Sequence, residues 1–174
     1  MDLHEFNDYK LYFDDDTSAE VEAVLAGAAK RYPTAESEAI LRMGLKNFPE
    51  NFSLLVGIYR FYFYRHKYSE ALFTAHKILV LCERKMNWYV SWPDLTLELI
   101  AQGVLQHSMS LVRLYLTTLK CAGYVNIRMS NFTEGISMLE KVIELDTHDR
   151  LSTRDLLATV TRFRPDRELV SSTI

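Results

Sequence analysis

Apolar residues recur along this chain at steps of three and four. In TSAEVEAVLAGAAKRYP they are Val21, Val24, Leu25 and Ala28, and in TAESEAILRMGLKNFP they are Ile40, Leu41, Gly44 and Leu45. That spacing lines one face of a helix. Thr17 or Ser18 stands before the first run and Thr34 before the second, each as an N-cap with acids in the turn that follows. Pro33 and Pro49 close the two runs. SWPDLTLELIAQGVLQHS places Pro93 at a first helical position, with Leu95, Leu97, Leu99, Ile100 and Leu105 as its apolar stripe. SLVRLYLTTLKCAGYVNIRM follows, with Ser108 and Ser110 at the junction where a cap is expected, then NFTEGISMLEKVIEL. STRDLLATVTRF opens with Ser152 and Asp155 spaced as a capping box.

The stretch GIYRFYFYRHKYSEALFTAHKILVL begins with packed aromatic rings and arginines whose alternation would suit a strand. Its continuation, KYSEALFTAHKIL, has a helical period, so the aromatic block is predicted to end one helix and the remainder to form the next. The pattern predicts eight helical segments and an all-α chain.

Composition changes this picture little. The 174 residues carry 20 Lys and Arg against 23 Asp and Glu, a formal charge of −3, which provides no whole-protein basic field for nucleic acid. Cys82 and Cys121 are far apart and belong to no CxxC pair, as expected of free thiols in a reducing compartment. MDLHEFNDYKLYFDDD is polar and acidic rather than a charged start followed by an apolar stretch, so no secretory signal is indicated and a cytoplasmic location is expected. No apolar run approaches the roughly 20 residues that a membrane span needs. Residues 1–16 and 164–174 show little periodicity and are expected to be a flexible acidic segment and a mobile tail.

Two segments superpose with a shift of 64 residues, Leu55 onto Leu119. Ile58 then matches Ala122, Tyr59 matches Gly123, Tyr68 matches Phe132, Ala71 matches Gly135, Ala75 matches Leu139, Ile78 matches Val142 and Leu79 matches Ile143. Each unit is a helix, a tight turn ahead of an aromatic residue, and a second helix whose small residue allows close approach. The pattern resembles the tetratricopeptide repeat, a helix–turn–helix of about 34 residues. Tyr62 carries that family's tyrosine and Gly123 its glycine, and Pro49 stands where its closing proline belongs.

The resemblance implies a short, irregular right-handed solenoid of antiparallel helix pairs. Its units would lie near 17–51, 52–85 and 116–149, with an insert at 86–115 and a C-terminal capping helix, the whole domain spanning 17–163. Departures are Asn126 where a tyrosine is usual, Glu83 and Thr147 in place of closing prolines, and the insert itself.

Reactive constellations do not emerge from the sequence. The histidines are scattered, with no HExxH motif and no carboxylate at ligand spacing, so no metal is expected. The isolated glycines form no phosphate loop, and no cofactor is expected. Asp14, Asp15 and Asp16 precede a helix start, where its dipole favours negative charge. Trp88 and Trp92, with Tyr89 between them, either plug the break between units or form an exposed anchor.

A repeat scaffold without reactive groups points to a non-enzymatic binding protein: an adaptor, assembly factor or small chaperone. Carried over from the resemblance, the concave groove would present Ser53, Val56, Arg60, Phe63 and Tyr64 from one unit, and Thr117, Lys120, Tyr124, Ile127 and Arg128 from the other. That basic and aromatic stripe suits an acidic or carboxylate-ended peptide or helix with apolar anchors. Lys120 matches the lysine with which some members grip a terminal carboxylate. Tyr124 replaces the asparagine that should accompany it, so that clamp is not expected. A self-associating structural subunit, a homodimer for instance, is the alternative, and single-stranded nucleic-acid binding through the Arg/Tyr/Phe block is a further one.

Overall fold

A computed structural model describes residues 18–163. The expectations for residues 1–17 and 164–174, including Thr17 as a cap, lie outside them. Among the described residues the secondary structure is helical throughout. Eight α-helices run as α1 (Ala19–Ala29), α2 (Ala35–Asn47), α3 (Phe52–Tyr64), α4 (Tyr68–Lys85), α5 (Leu97–Gln106), α6 (Met109–Arg128), α7 (Phe132–Leu145) and α8 (Thr153–Arg162), with a 3-10 turn at Trp92–Asp94.

Caps explain most of the helix starts. Ser18, Thr34, Asn51, Thr96 and Ser108 each accept a hydrogen bond through their side chain from a backbone N–H of the first turn. Two expected starts are corrected. Pro93 sits in the 3-10 turn rather than at the head of α5, because Thr96 is extended and its hydroxyl captures the Leu99 N–H. Ser152 does not form a capping box with Asp155: its backbone is left-handed, at φ 51°, and its hydroxyl makes no cap bond. Asp149 takes over, Oδ1 accepting from the N–H of Thr153 at 2.8 Å and of Arg154 at 3.3 Å. A carboxylate acceptor outcompetes a hydroxyl for these donors. Helix α6 starts at Met109, so residues 109–115 of the stretch expected as an insert are already helical.

Neighbouring helices follow chain order with one interruption. Packing runs α1 on α2, α2 on α3, α3 on α4, α4 on α6, α6 on α7 and α7 on α8, while α5 lies aside against α6 and α7. Two hydrophobic clusters fill the interior. One joins α1, α2, α3, the start of α4 and the far end of α6 through Val21, Leu25, Leu41, Leu54, Ile58, Phe61, Ala71 and Val125. The other joins α3, α4, α6 and α7 through Leu55, Ile78, Cys82, Tyr115, Leu119, Met138 and Val142. Helix α3 serves both, because Leu54 and Leu55 leave its axis on different sides.

The 64-residue correspondence holds in the backbone as well as in residue size. His66 and Ser130 both have positive φ, 57° and 66°. Each turn closes with the same pair of hydrogen bonds: His66 N–H to Phe63 O and Lys67 N–H to Tyr62 O in one, Ser130 N–H to Ile127 O and Asn131 N–H to Asn126 O in the other. Leu55 and Leu119, Ala71 and Gly135, Ala75 and Leu139, and Ile78 and Val142 are all buried pairs. These features are consistent with a helical repeat.

Helices α6 and α7 meet at two glycines. A Cβ on Gly135 would stand 2.6 Å from the Gly123 carbonyl oxygen and 2.7 Å from Ile127 Cγ1. The departure at Asn126 is accommodated: its side-chain NH2 donates to Ala122 O at 3.2 Å, and its Oδ1 accepts from Asn131 at 3.3 Å.

Candidate functional site

Helical periodicity puts Tyr59 and Phe63 one turn apart on α3, and Lys120, Tyr124 and Arg128 at successive turns of α6. The fold brings the two sets together at Phe63. Its ring stacks on Tyr59 with centroids 5.9 Å apart and meets Tyr64 at 5.5 Å, Tyr68 at 6.1 Å and Tyr124 at 6.0 Å. All five rings are half-buried. The exposed Arg128 guanidinium lies over the Tyr68 ring, 5.0 Å from its centroid, and donates to the Tyr124 hydroxyl at 3.5 Å. Its pKa is raised, chiefly by that hydrogen bond, so the side chain is firmly cationic. No carboxylate pairs with Arg128 among the described residues.

The other residues expected in a groove divide between the face and the interior. Arg60, Val56, Thr117 and Ile127 are half-buried, with Val56 packed on the core and the Thr117 hydroxyl buried without a partner among the described residues. Ser53 is corrected to an interior position, since it lies at the start of α3 where the helix is covered all round. Lys120 is not a free cation of the face, because its ammonium donates to the Leu151 carbonyl ahead of α8.

Tyr59 and Tyr68, which the 64-residue alignment matches with Gly123 and Phe132, are also members of the ring cluster. The four-residue step from Tyr59 to Phe63 was the available signal. Beneath the face, burial drives the Tyr59 phenol far above its ordinary pKa, with the Cys121 thiol beside it reinforcing the shift. Burial also raises the Cys121 thiol, against the opposing pull of its hydrogen bond with Tyr59. Neither group is thereby activated as a nucleophile.

The tryptophan segment is mostly a plug. Trp88 is buried, meets Tyr115 edge to face at 5.3 Å, and lies against Gly103, where a Cβ would come within 2.8 Å of the indole. Trp92 is half-buried on the same cluster. Of the expected secondary contact only Tyr89 stands out, at 96% exposed. The stripe expected for α5 is also divided: Leu95 is buried just ahead of the helix, whereas Leu97 and Leu105 face outward.

Beside Trp88, the Tyr115 hydroxyl donates to Glu83 Oε1 at 2.8 Å, and burial raises the Glu83 carboxyl above its ordinary value of 4.5 while that hydrogen bond opposes the shift. The folded state therefore holds this proton more tightly than the unfolded chain. Stability from this group is present below the unfolded value and declines as pH rises through the folded one. Glu83→Gln keeps an acceptor for Tyr115 without the charge. Its melting temperature should match wild type near pH 4 and exceed it near pH 7, as thermal melts at the two pH values would read.

Among the described residues, no group of three His, Cys, Asp or Glu side chains could hold a metal ion, and no helix is long and apolar enough to cross a membrane. No family model matches the chain, and no solved structure matches it. The chain is 36% identical over 157 residues to the "uncharacterized 19.8 kDa protein in nifW 5'region" of Azotobacter chroococcum mcd 1, an alignment that covers 90% of this chain and 87% of that protein. With this identity over most of both chains, the protein belongs to the same family as the Azotobacter chroococcum nifW 5'-region protein.

Proposed function

We propose that the protein is a non-enzymatic binding module of tetratricopeptide-like build, acting in the cytoplasm as an adaptor, assembly factor or small chaperone. In this reading α1 with α2, α3 with α4, and α6 with α7 are antiparallel pairs of a short, irregular right-handed solenoid. Helix α5 is inserted between units and α8 caps the end. The ligand is an acidic peptide or helix segment with apolar anchors, held on the face of Arg60, Phe63, Tyr64, Tyr124 and Arg128.

One observation carries the reading. Arg128 is held against two tyrosines, exposed and without a carboxylate partner among the described residues, beside the Phe63 ring cluster. A guanidinium oriented in this way offers its remaining N–H groups to a carboxylate, while the rings supply apolar contact. The relative's placement 5' of nifW makes the nifW product the first partner to test.

Arg128→Glu should weaken partner binding by at least about 30-fold, the scale of about 2 kcal/mol or more for a reversed interfacial charge. Its stability should stay within about 0.5 kcal/mol of wild type, because the side chain is exposed. The measurement is the Kd of the purified nifW product, and of any partner recovered by affinity purification from the native host, for wild type and variant, with thermal melts of both. Unchanged affinity for every partner would defeat the reading.

Self-association is a second reading, favoured by the outward Leu97 and Leu105 of α5 and the exposed Met109 that opens α6. Light scattering on the wild-type chain decides it.

A further inference from the structure

The formal charge of −3 is unevenly distributed. Residues 1–16 hold six of the 23 acidic side chains (Asp2, Glu5, Asp8, Asp14, Asp15, Asp16) against a single lysine, Lys10. Residues 17–174 hold 19 Lys and Arg against 17 Asp and Glu, so the rest of the chain is net positive. The same sixteen residues contain Phe6, Tyr9, Tyr12 and Phe13. They therefore combine carboxylates with aromatic anchors, the chemistry that complements Arg128, Phe63 and Tyr124.

Helix α1 has no need of these acids. Ser18 already accepts from the Val21 N–H, and Glu20 and Glu22 already occupy its first turn.

We propose that the α3–α6 aromatic face binds the chain's own residues 1–16 in the free protein, as an internal competitor that an external acidic ligand must displace. The inference rests on the binding face proposed above. Sixteen extended residues reach about 55 Å, enough to bring the segment to this face from the start of α1. Tethering supplies a local concentration on the order of millimolar, so even weak intrinsic affinity gives substantial occupancy.

The full-length protein is tested with p-benzoyl-phenylalanine in place of Phe13, irradiated at low micromolar concentration. Intramolecular cross-links to the segments around Phe63–Tyr68 and Tyr124–Arg128 are expected, with at least a fivefold lower yield in the Arg128→Glu background. Cross-links confined to other elements, none at all, or a cross-linked dimer from a second copy would overturn the proposal.

A synthetic peptide of residues 1–16 is the second probe. It should bind full-length protein carrying Asp14→Asn, Asp15→Asn and Asp16→Asn at least tenfold more tightly than wild type, as expected when internal occupancy is about 90%. Equal affinity overturns the proposal. If Arg128→Glu abolishes partner binding while the cross-links lie elsewhere, only the internal occupant fails. If Arg128→Glu changes neither measurement, the face itself fails as well.

Discussion

Trp88→Ala should cost about 3–5 kcal/mol, the usual range for removing a buried indole from a core. The side chain is 8% exposed and fills the space between α4, α5 and α6, with its ring edge-on to Tyr115 and its far side against Gly103. Collapse cannot easily repair the loss. Tyr115 is fixed by its hydrogen bond to Glu83, and α5 buries only Gly103 completely. The indole is therefore much of what holds α5 down. At roughly 2–4 °C per kcal/mol for a chain of this size, the melting temperature should fall by about 6–20 °C. Tyr89→Ala, one residue away and 96% exposed, should move it by less than about 2 °C. Equal, small shifts for both variants would mean that Trp88 is not the plug.

Gly135→Leu should be nearly as damaging, at about 3 kcal/mol, the upper end of the usual overpacking penalty. Its Cβ would strike the Gly123 carbonyl oxygen at 2.6 Å and the Ile127 amide nitrogen at 3.1 Å, both backbone atoms that cannot rotate aside. Relief requires α6 and α7 to separate along their contact. Gly27→Ala is the matching control. Its new Cβ would find nothing nearer than Ile40 Cγ2 at 4.0 Å. Removing a helical glycine there should stabilise by about 0.5–1 kcal/mol. Chemical denaturation of the two variants should move midpoints in opposite directions. A Gly135→Leu midpoint equal to wild type would place the α6–α7 contact elsewhere.

Much of the helical layout was legible because it depends on local pattern. Val21 with Leu25, or Leu119 with Ala122, announces a buried stripe through spacing alone, and Thr34 and Ser108 cap where a hydroxyl precedes such a stripe. The 64-residue match of Ala71 with Gly135 was legible for the same reason, since close approach demands small residues whatever surrounds them. What failed involved competition among neighbours. Asp146, Asp149 and Ser152 all precede α8, and the sequence does not state which backbone angles bring which oxygen to the Thr153 N–H. Lys120 looked free because its acceptor, Leu151 O, is 31 residues away. On the candidate face, the Tyr124–Arg128 pair follows from helical spacing, whereas Phe63 as a hub between α3 and α6 is a tertiary fact.

Helix α3 has a consequence for how the molecule comes apart. Arrays of stacked helices can melt piecewise, each unit leaning only on the next. Here Leu54 and Ile58 belong to one hydrophobic cluster and Phe52 and Leu55 to the other, so α3 gives several buried side chains to each, whereas the buried residues of α4 and α6 reach the first cluster only through Ala71 and Val125. Fraying that starts at α1 or at α8 meets the same barrier, and the last amides to exchange with solvent should be those of α3, shielded until both halves open together.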